Sequence, residues 1–245
     1  SRKEEIAYLK KNGVDLSWEK AKYSINRGLW GTSVGGAETL SSHLGLPEEA
    51  WPTPLSRQDE EEICIHFKDG EPVGIDEQHM HPVECIQQLE KRAAPFGIGR
   101  DVHVGDTIIG IKGRVGFEAS APLIIIKAHH LLEKHVLGKW QQHWKEQLGN
   151  WYGMLMHEGQ YLDPVMRNIE CFLEDTQRHV SGKVFIKLQP KHFELVGIES
   201  EFDLMQSSFG TYGEENAAWS GADVQGFTKI LANQSKIIRS VQKDD

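Results

Sequence analysis

Ser24 and Ser33 stand nine residues apart in KYSINRGLWGTSVGG, Lys22–Gly36, with Leu29-Trp30 between them and Gly35-Gly36 behind. A surface loop has no need of a Leu-Trp pair, and a core segment has no need of so many small polar groups. Gly31–Gly35 reads G-x-S-x-G, the string of a hydrolase nucleophile, which requires a buried strand before the serine and a helix after it. YSINRGLW is not patterned as a buried strand, so a capped or turning loop is the plainer reading of the match.

The chain carries 12 histidines, which raises metal binding. His79 and His81 form H-x-H, and His129, His130 and His135 fall close together. There is no HExxH and no Cys/His quartet at ligand spacing, and the second group does not share one helical face, so no metal site is expected. Phosphate loops of the GxxxxGK[ST] and GxGxxG types are also absent. Arg100, Lys112 and Arg114 could line an anionic site, with exposed strand cations as the default reading. Trp140, Trp144 and Trp151 read most simply as core or interface packing.

The elements that must position these residues mix strands and helices. Glu4–Lys11 reads as a helix closed by Asn12-Gly13. Residues 14–57 show little periodicity but carry apolar anchors (Trp18, Tyr23, Leu29, Trp30, Leu44 and Trp51), which argues for a functional loop over disorder. EICIHFKDGEPVGI predicts a hairpin: Ile63, Ile65 and Phe67 alternate, and Asp69-Gly70 turns. HPVECIQQLEKRAAPFG predicts a helix with Pro82 near its start and Gly97 past its end. VHVGDTIIGIKGRVGFEA is strand-like, its glycines marking bulges or close backbone approach.

Beyond Ser120, residues Ile124, Ala128, Leu132, Val136, Trp140, Trp144, Leu148 and Tyr152 step by four, with Gly138 as a possible break. Asp163-Pro164 caps a further helix that Ser181-Gly182 ends. KVFIKLQPKHFELVGIES predicts a second hairpin, and Ala222–Val241 a mostly helical tail. Antiparallel hairpins in mixed order with long helices imply an α+β fold.

With 245 residues the chain can form one large domain or two small ones. It would bury roughly 70–75% of its unfolded surface, enough for a core without staples. A net charge of −9 argues against nucleic acid as a main partner. Three scattered cysteines, Cys64, Cys85 and Cys171, read as reduced and buried, in a cytoplasmic protein. No run of about 18 apolar residues predicts a membrane span. The first residues form an amphipathic pattern unlike a signal peptide, without an initiating Met, which suggests a fragment or a processed terminus.

YSINRGLWGTS, FGIGRDVHVGDTIIGIKGRVGFEASAPLIIIKAH, VSGKVFIKL and GIESEFDL together resemble the second half of the argininosuccinate synthase family, in order and spacing, from about Arg2 to Phe227. The resemblance implies a ligase that joins citrulline to aspartate. The citrulline ureido oxygen attacks the α-phosphate of ATP, releasing pyrophosphate, and the aspartate amine then displaces AMP. The family's ATP-binding domain, with its serine-glycine-glycine-x-aspartate loop, comes first and is not matched here. ATP and its Mg²⁺ are therefore expected mainly on that other half, and this chain alone is expected to be inactive.

Ser24 and Ser33 match two serines that hold the amino-acid end of citrulline in the family. Hydroxyls can serve both the carboxylate and the ammonium of a zwitterion, and the Leu29-Trp30 pair would anchor the segment that carries them. The family also places a glutamate and, twelve residues on, a tyrosine at this ligand. Here those positions are Gly105 and Phe117, which suggests a divergent branch. Asp106 and Glu118, each one position along, are candidate replacements, with a bulge at Gly105 as the device that would re-aim Asp106.

The resemblance further implies a homotetramer with a C-terminal arm, and divides the chain into a substrate-binding domain (1–226) and an oligomerisation tail (227–245). The rival reading is a non-catalytic oligomeric scaffold with a lapsed pocket.

Overall fold

The computed structural model describes residues 2–14, 22–209 and 218–242; Trp18 lies outside them. Their contacts divide the chain into two units, Ser1–Phe202 and Asp203–Asp245, and residue 227 falls within the helix of the second unit.

The core of the first unit grows from the alternation visible in the sequence. Ile63, Ile65 and Phe67 of β3 (Glu61–Lys68) face inward, as do Val184, Ile186 and Leu188 of β8 (Gly182–Gln189), and the two strands pair antiparallel. With β4 (Glu71–Ile75), β5 (Gln78–His79) and β9 (His192–Glu199) they form a five-stranded antiparallel sheet in the order β5-β4-β3-β8-β9. Asp69 and Gly70 make the β3–β4 turn at φ 50° and 84°, which suits a primed hairpin turn.

Two helices cover the inner face of this sheet. In α2 (Pro82–Ala93), Ile86, Leu89 and Ala93 are buried. Its first turn is closed by His81, whose Nδ1 accepts from Val83 N at 3.3 Å while Glu84 accepts from His81 N at 3.2 Å. In α3 (Ser120–Val136), Ile124, Ala128, Leu132 and Val136 form the buried stripe predicted from their spacing.

The step-of-four ladder divides at Leu137-Gly138. Beyond it α4 (Lys139–His157) buries no residue, and Trp140, Trp144 and Trp151 are 66, 55 and 56% exposed. These tryptophans are therefore not core. α5 (Pro164–Thr176), capped by Asp163, lies against α4, and Tyr152 donates to Glu170 at 2.7 Å. It ends in a short 3-10 turn at Gln177–His179, earlier than Ser181-Gly182; Gly182 already opens β8. The remaining helices are α1 (Arg2–Lys11) and, in the second unit, α6 (Gly221–Val241).

A second antiparallel sheet has the order β1-β2-β7-β6, from β1 (Ser24–Gly28), β2 (Gly31–Gly35), β6 (Arg100–Asp106) and β7 (Lys112–Glu118). The two hairpins, distant in sequence, meet where β2 pairs with β7. The α+β expectation holds. The expectation of an irregular segment over residues 14–57 is corrected: residues 24–35 form a hairpin whose turn is Leu29-Trp30. Both turn residues are about half exposed.

Candidate functional site

Strand pairing decides which side chains share a face of the four-stranded sheet. Directly paired residues project to the same side, and neighbours along a strand alternate. Ser24 pairs with Gly35 and Asn26 with Ser33; Ser33 pairs in turn with Phe117, and Phe117 with Asp101. Ser24, Asn26, Ser33, Phe117, Val115, Asp101 and His103 thus lie on one face. The two serines are diagonal cross-strand neighbours, about 7–8 Å apart. Ser24 is exposed and Ser33 half-buried, so neither hydroxyl is sealed in hydrocarbon.

The opposite face is closed. Val34 and Gly116 are buried on it, and a Cβ on Gly116 would meet the side chain of Leu46 at 2.1 Å and Trp51 at 3.4 Å. Two arginines clamp residues 37–55 over this side. Arg114 donates to the carbonyls of Glu38 (3.0 Å), Ser41 and Leu44 (2.7 Å). Arg100 donates to Glu48 at 2.8 Å, to Glu118 at 3.3 Å and to the Thr53 carbonyl, and lies over the Trp51 ring. Its guanidinium holds the Glu48 carboxyl below the usual carboxylate range. Arg100 and Arg114 are therefore structural clamps rather than exposed strand cations; a row of peptide carbonyls needs donors, and a guanidinium fork supplies several.

The two acidic candidates lie with that opposite set. Glu118 is 3% exposed and accepts from Arg100. Asp106 pairs with Lys112 across the strands, with 2.6 Å between Nζ and Oδ1. The β6–β7 pairing runs from Arg100↔Glu118 to Asp106↔Lys112 without a register shift. The bulge expected at Gly105 is thus absent, and Asp106 keeps the parity of its neighbours. Gly105 pairs with Gly113 on the serine face, and the His103 ring lies over it: a Cβ there would meet Nε2 at 2.9 Å.

Phe117 leans the other way along the sheet. A Cβ on Gly31 would meet its ring at 2.6 Å. Between the two rings, Gly35 leaves a spot of bare backbone beside Ser24, where a Cβ would meet only Val115, at 4.0 Å. A cavity of about 830 Å³ wraps the β6 edge: Asp101, His103, Val115 and Phe117 line it together with Leu46, Glu48, Trp51 and Arg100 of the clamped side, and it reaches neither serine. Asp101, His103 and Asn26 escaped the reading of the sequence. The signal for the first two was parity: once Thr107–Ile111 is read as a hairpin turn, Asp101 falls opposite Phe117.

Other sequence candidates resolve differently. Of the three cysteines expected to be buried, only Cys85 is; Cys64 is partly buried and Cys171 is exposed. Ser33 sits in mid-strand, with no hydrogen bond to a His or carboxylate among the described residues, so G-x-S-x-G here is not a strand-to-helix elbow. No group of three or more His, Cys, Asp or Glu among the described residues could hold a metal ion. His129 lies in a buried network: its Nε2 meets Gln177 Oε1 at 2.8 Å, and Gln177 and Lys145 both donate to Glu133. No described helix is long and apolar enough to cross a membrane.

The family model described as "Arginosuccinate synthase C-terminal domain" matches residues 23–238. Argininosuccinate synthase of Methanocaldococcus jannaschii is 34% identical over 218 residues, 88% of this chain and 55% of the relative. Those of Dictyoglomus thermophilum and Dictyoglomus turgidum are 34% and 36% identical, each aligned over 96% of this chain and 59% of its own length. The chain thus spans somewhat more than half the length of these curated relatives. With the match extending over both sheets and into α6, this chain belongs to the argininosuccinate synthase family, as its C-terminal domain.

Proposed function

We propose that this chain is the substrate-holding and assembly portion of a cytoplasmic ligase that condenses citrulline and aspartate into argininosuccinate at the cost of ATP. Adenylation of the ureido oxygen, followed by displacement of AMP by the aspartate amine, needs no protein nucleophile. The protein's contribution is to position reactants and stabilise charge at phosphorus. In this division of labour the serine face holds the zwitterionic head of citrulline and leaves the ureido end free to meet ATP.

The single observation that carries the reading is the shared face of Ser24 and Ser33, beside the bare backbone of Gly35. A carboxylate requires donors and an ammonium acceptors; two hydroxyls supply both. The serine face offers one strand carboxylate, Asp101, which does not make a Mg²⁺ site. ATP and its Mg²⁺ are therefore assigned to the remainder of the enzyme. On this reading the 245-residue chain alone forms no argininosuccinate, and product from it with all three substrates present refutes the assignment.

Kinetics of the polypeptide as its gene encodes it test the site. Ser24→Ala should raise the citrulline KM about 10- to 150-fold, the loss of one hydrogen bond to a charged group, with ATP KM nearly unchanged. An unaltered citrulline KM removes Ser24 from the site. We further propose that α6 is an oligomerisation arm of a homotetramer. Its Phe227, Ile230, Leu231, Ile237, Ile238 and Val241 recur at helical spacing and are exposed within their own unit.

A further inference from the structure

A zwitterionic head bound to two hydroxyls still needs an opposite charge for its ammonium, since a desolvated cation without one is costly. Glu118 and Asp106 project to the other side of the sheet, where Arg100 and Lys112 occupy them. Among the strand residues of the serine face there is one carboxylate, Asp101, in the same cross-strand row as Asn26, Ser33 and Phe117. We infer that Asp101 is the ammonium partner of the bound amino acid, an inference that rests on the proposed citrulline reading.

Five features of the face support the assignment. Asp101 is exposed and borders the cavity at the β6 edge, so a ligand can reach it. Its Oδ1 accepts from Val102 N at 2.7 Å, which fixes the carboxylate and leaves Oδ2 without a partner among the described residues. Strands about 4.8 Å apart put Asp101 and Ser33 roughly 9–10 Å apart across β7, a gap that an amino-acid head spans when its carboxylate accepts from Ser33 and its ammonium donates to Asp101. Phe117, the residue between them, does not fill the gap, because its ring lies over Gly31. The His103 ring, lying over Gly105, walls the opposite end. The head group then rests on Gly35 and Val115, its carboxylate toward the serines and its ammonium toward Asp101.

The test compares two ligands on the polypeptide as its gene encodes it: citrulline, and 5-ureidopentanoate, which has the same chain and carboxylate but no α-ammonium. Calorimetry gives both dissociation constants for the parent protein, Asp101→Asn and Ser24→Ala. Asparagine can still accept from Val102 N, so the strand is kept and the charge removed. The inference expects Asp101→Asn to weaken citrulline tenfold or more and to leave 5-ureidopentanoate within twofold, so that the preference for the ammonium disappears. Equal weakening of both ligands overturns it, because the carboxylate would then act on something other than the ammonium. No change in Asp101→Asn with a loss in Ser24→Ala also overturns it, while leaving the serine face as the site. Unchanged citrulline affinity in both variants removes the face itself.

Discussion

At the scale of single residues, the same chemistry takes opposite roles according to which side of a strand it falls on. Glu118 and Asp101 are carboxylates of paired strands, yet one is sealed against Arg100 and the other stands open to solvent. Glu133 shows the buried case elsewhere in the unit. At 2% exposed it accepts from Lys145 at 2.7 Å and from Gln177 at 2.9 Å. Since the Gln177 amide nitrogen donates to Glu133, its oxygen accepts, and His129 carries its proton on Nε2. Burial among these groups pushes the His129 pKa below its ordinary 6.5, against the pull of the Glu133 charge. Below about pH 6.5 the unfolded imidazole takes up a proton that the folded one resists, so stability falls as pH falls through that window. Thermal unfolding between pH 7 and pH 5 should show this fall, and His129→Gln should reduce it. A pH dependence unaltered in the variant would show that His129 contributes none of it.

At the scale of elements, what could be read in advance was what local sequence determines. The β3–β4 turn follows from Asp69-Gly70, α2 from Pro82 and Gly97, and the α3 stripe from its step of four. The β1–β2 hairpin was missed because SINRG has neither alternation nor burial; its partner β7 lies some eighty residues away, and only that pairing explains it. The α4 tryptophans were legible as helical but not as exposed, since periodicity names a face without naming what covers it. Likewise the serine pair was legible, while its shared face with Phe117 and Asp101 required the β2–β7 register. The floor this register creates can be tested by filling it. Gly35 has no left-handed φ, and a Cβ there meets nothing closer than 4.0 Å. Gly35→Leu should therefore leave thermal stability nearly unchanged yet raise the citrulline KM about tenfold or more, the scale of one lost charged hydrogen bond. Unchanged kinetics would mean that the substrate does not rest there.

At the scale of the molecule, the first unit has a well-covered core, and the second carries a helix with an apolar side that is exposed within that unit. The acidic balance, a net charge of −9, argues against a polyanionic main partner such as nucleic acid. On α6 the exposed Ile230, Leu231, Ile237 and Ile238 fall on one side of the helix, the side on which the proposed oligomer contact rests. Light scattering on the protein ending at Gly226 should show a smaller assembly than the parent; an unchanged mass would exclude α6 as the arm. The most direct test of the central claim is a crystal structure of the complete enzyme with citrulline. The account predicts the α-carboxylate and ammonium over Gly35, with Ser24 Oγ and Ser33 Oγ within hydrogen-bond distance, about 2.5–3.0 Å, of the head group. Citrulline held elsewhere, with both hydroxyls facing only water, would contradict it.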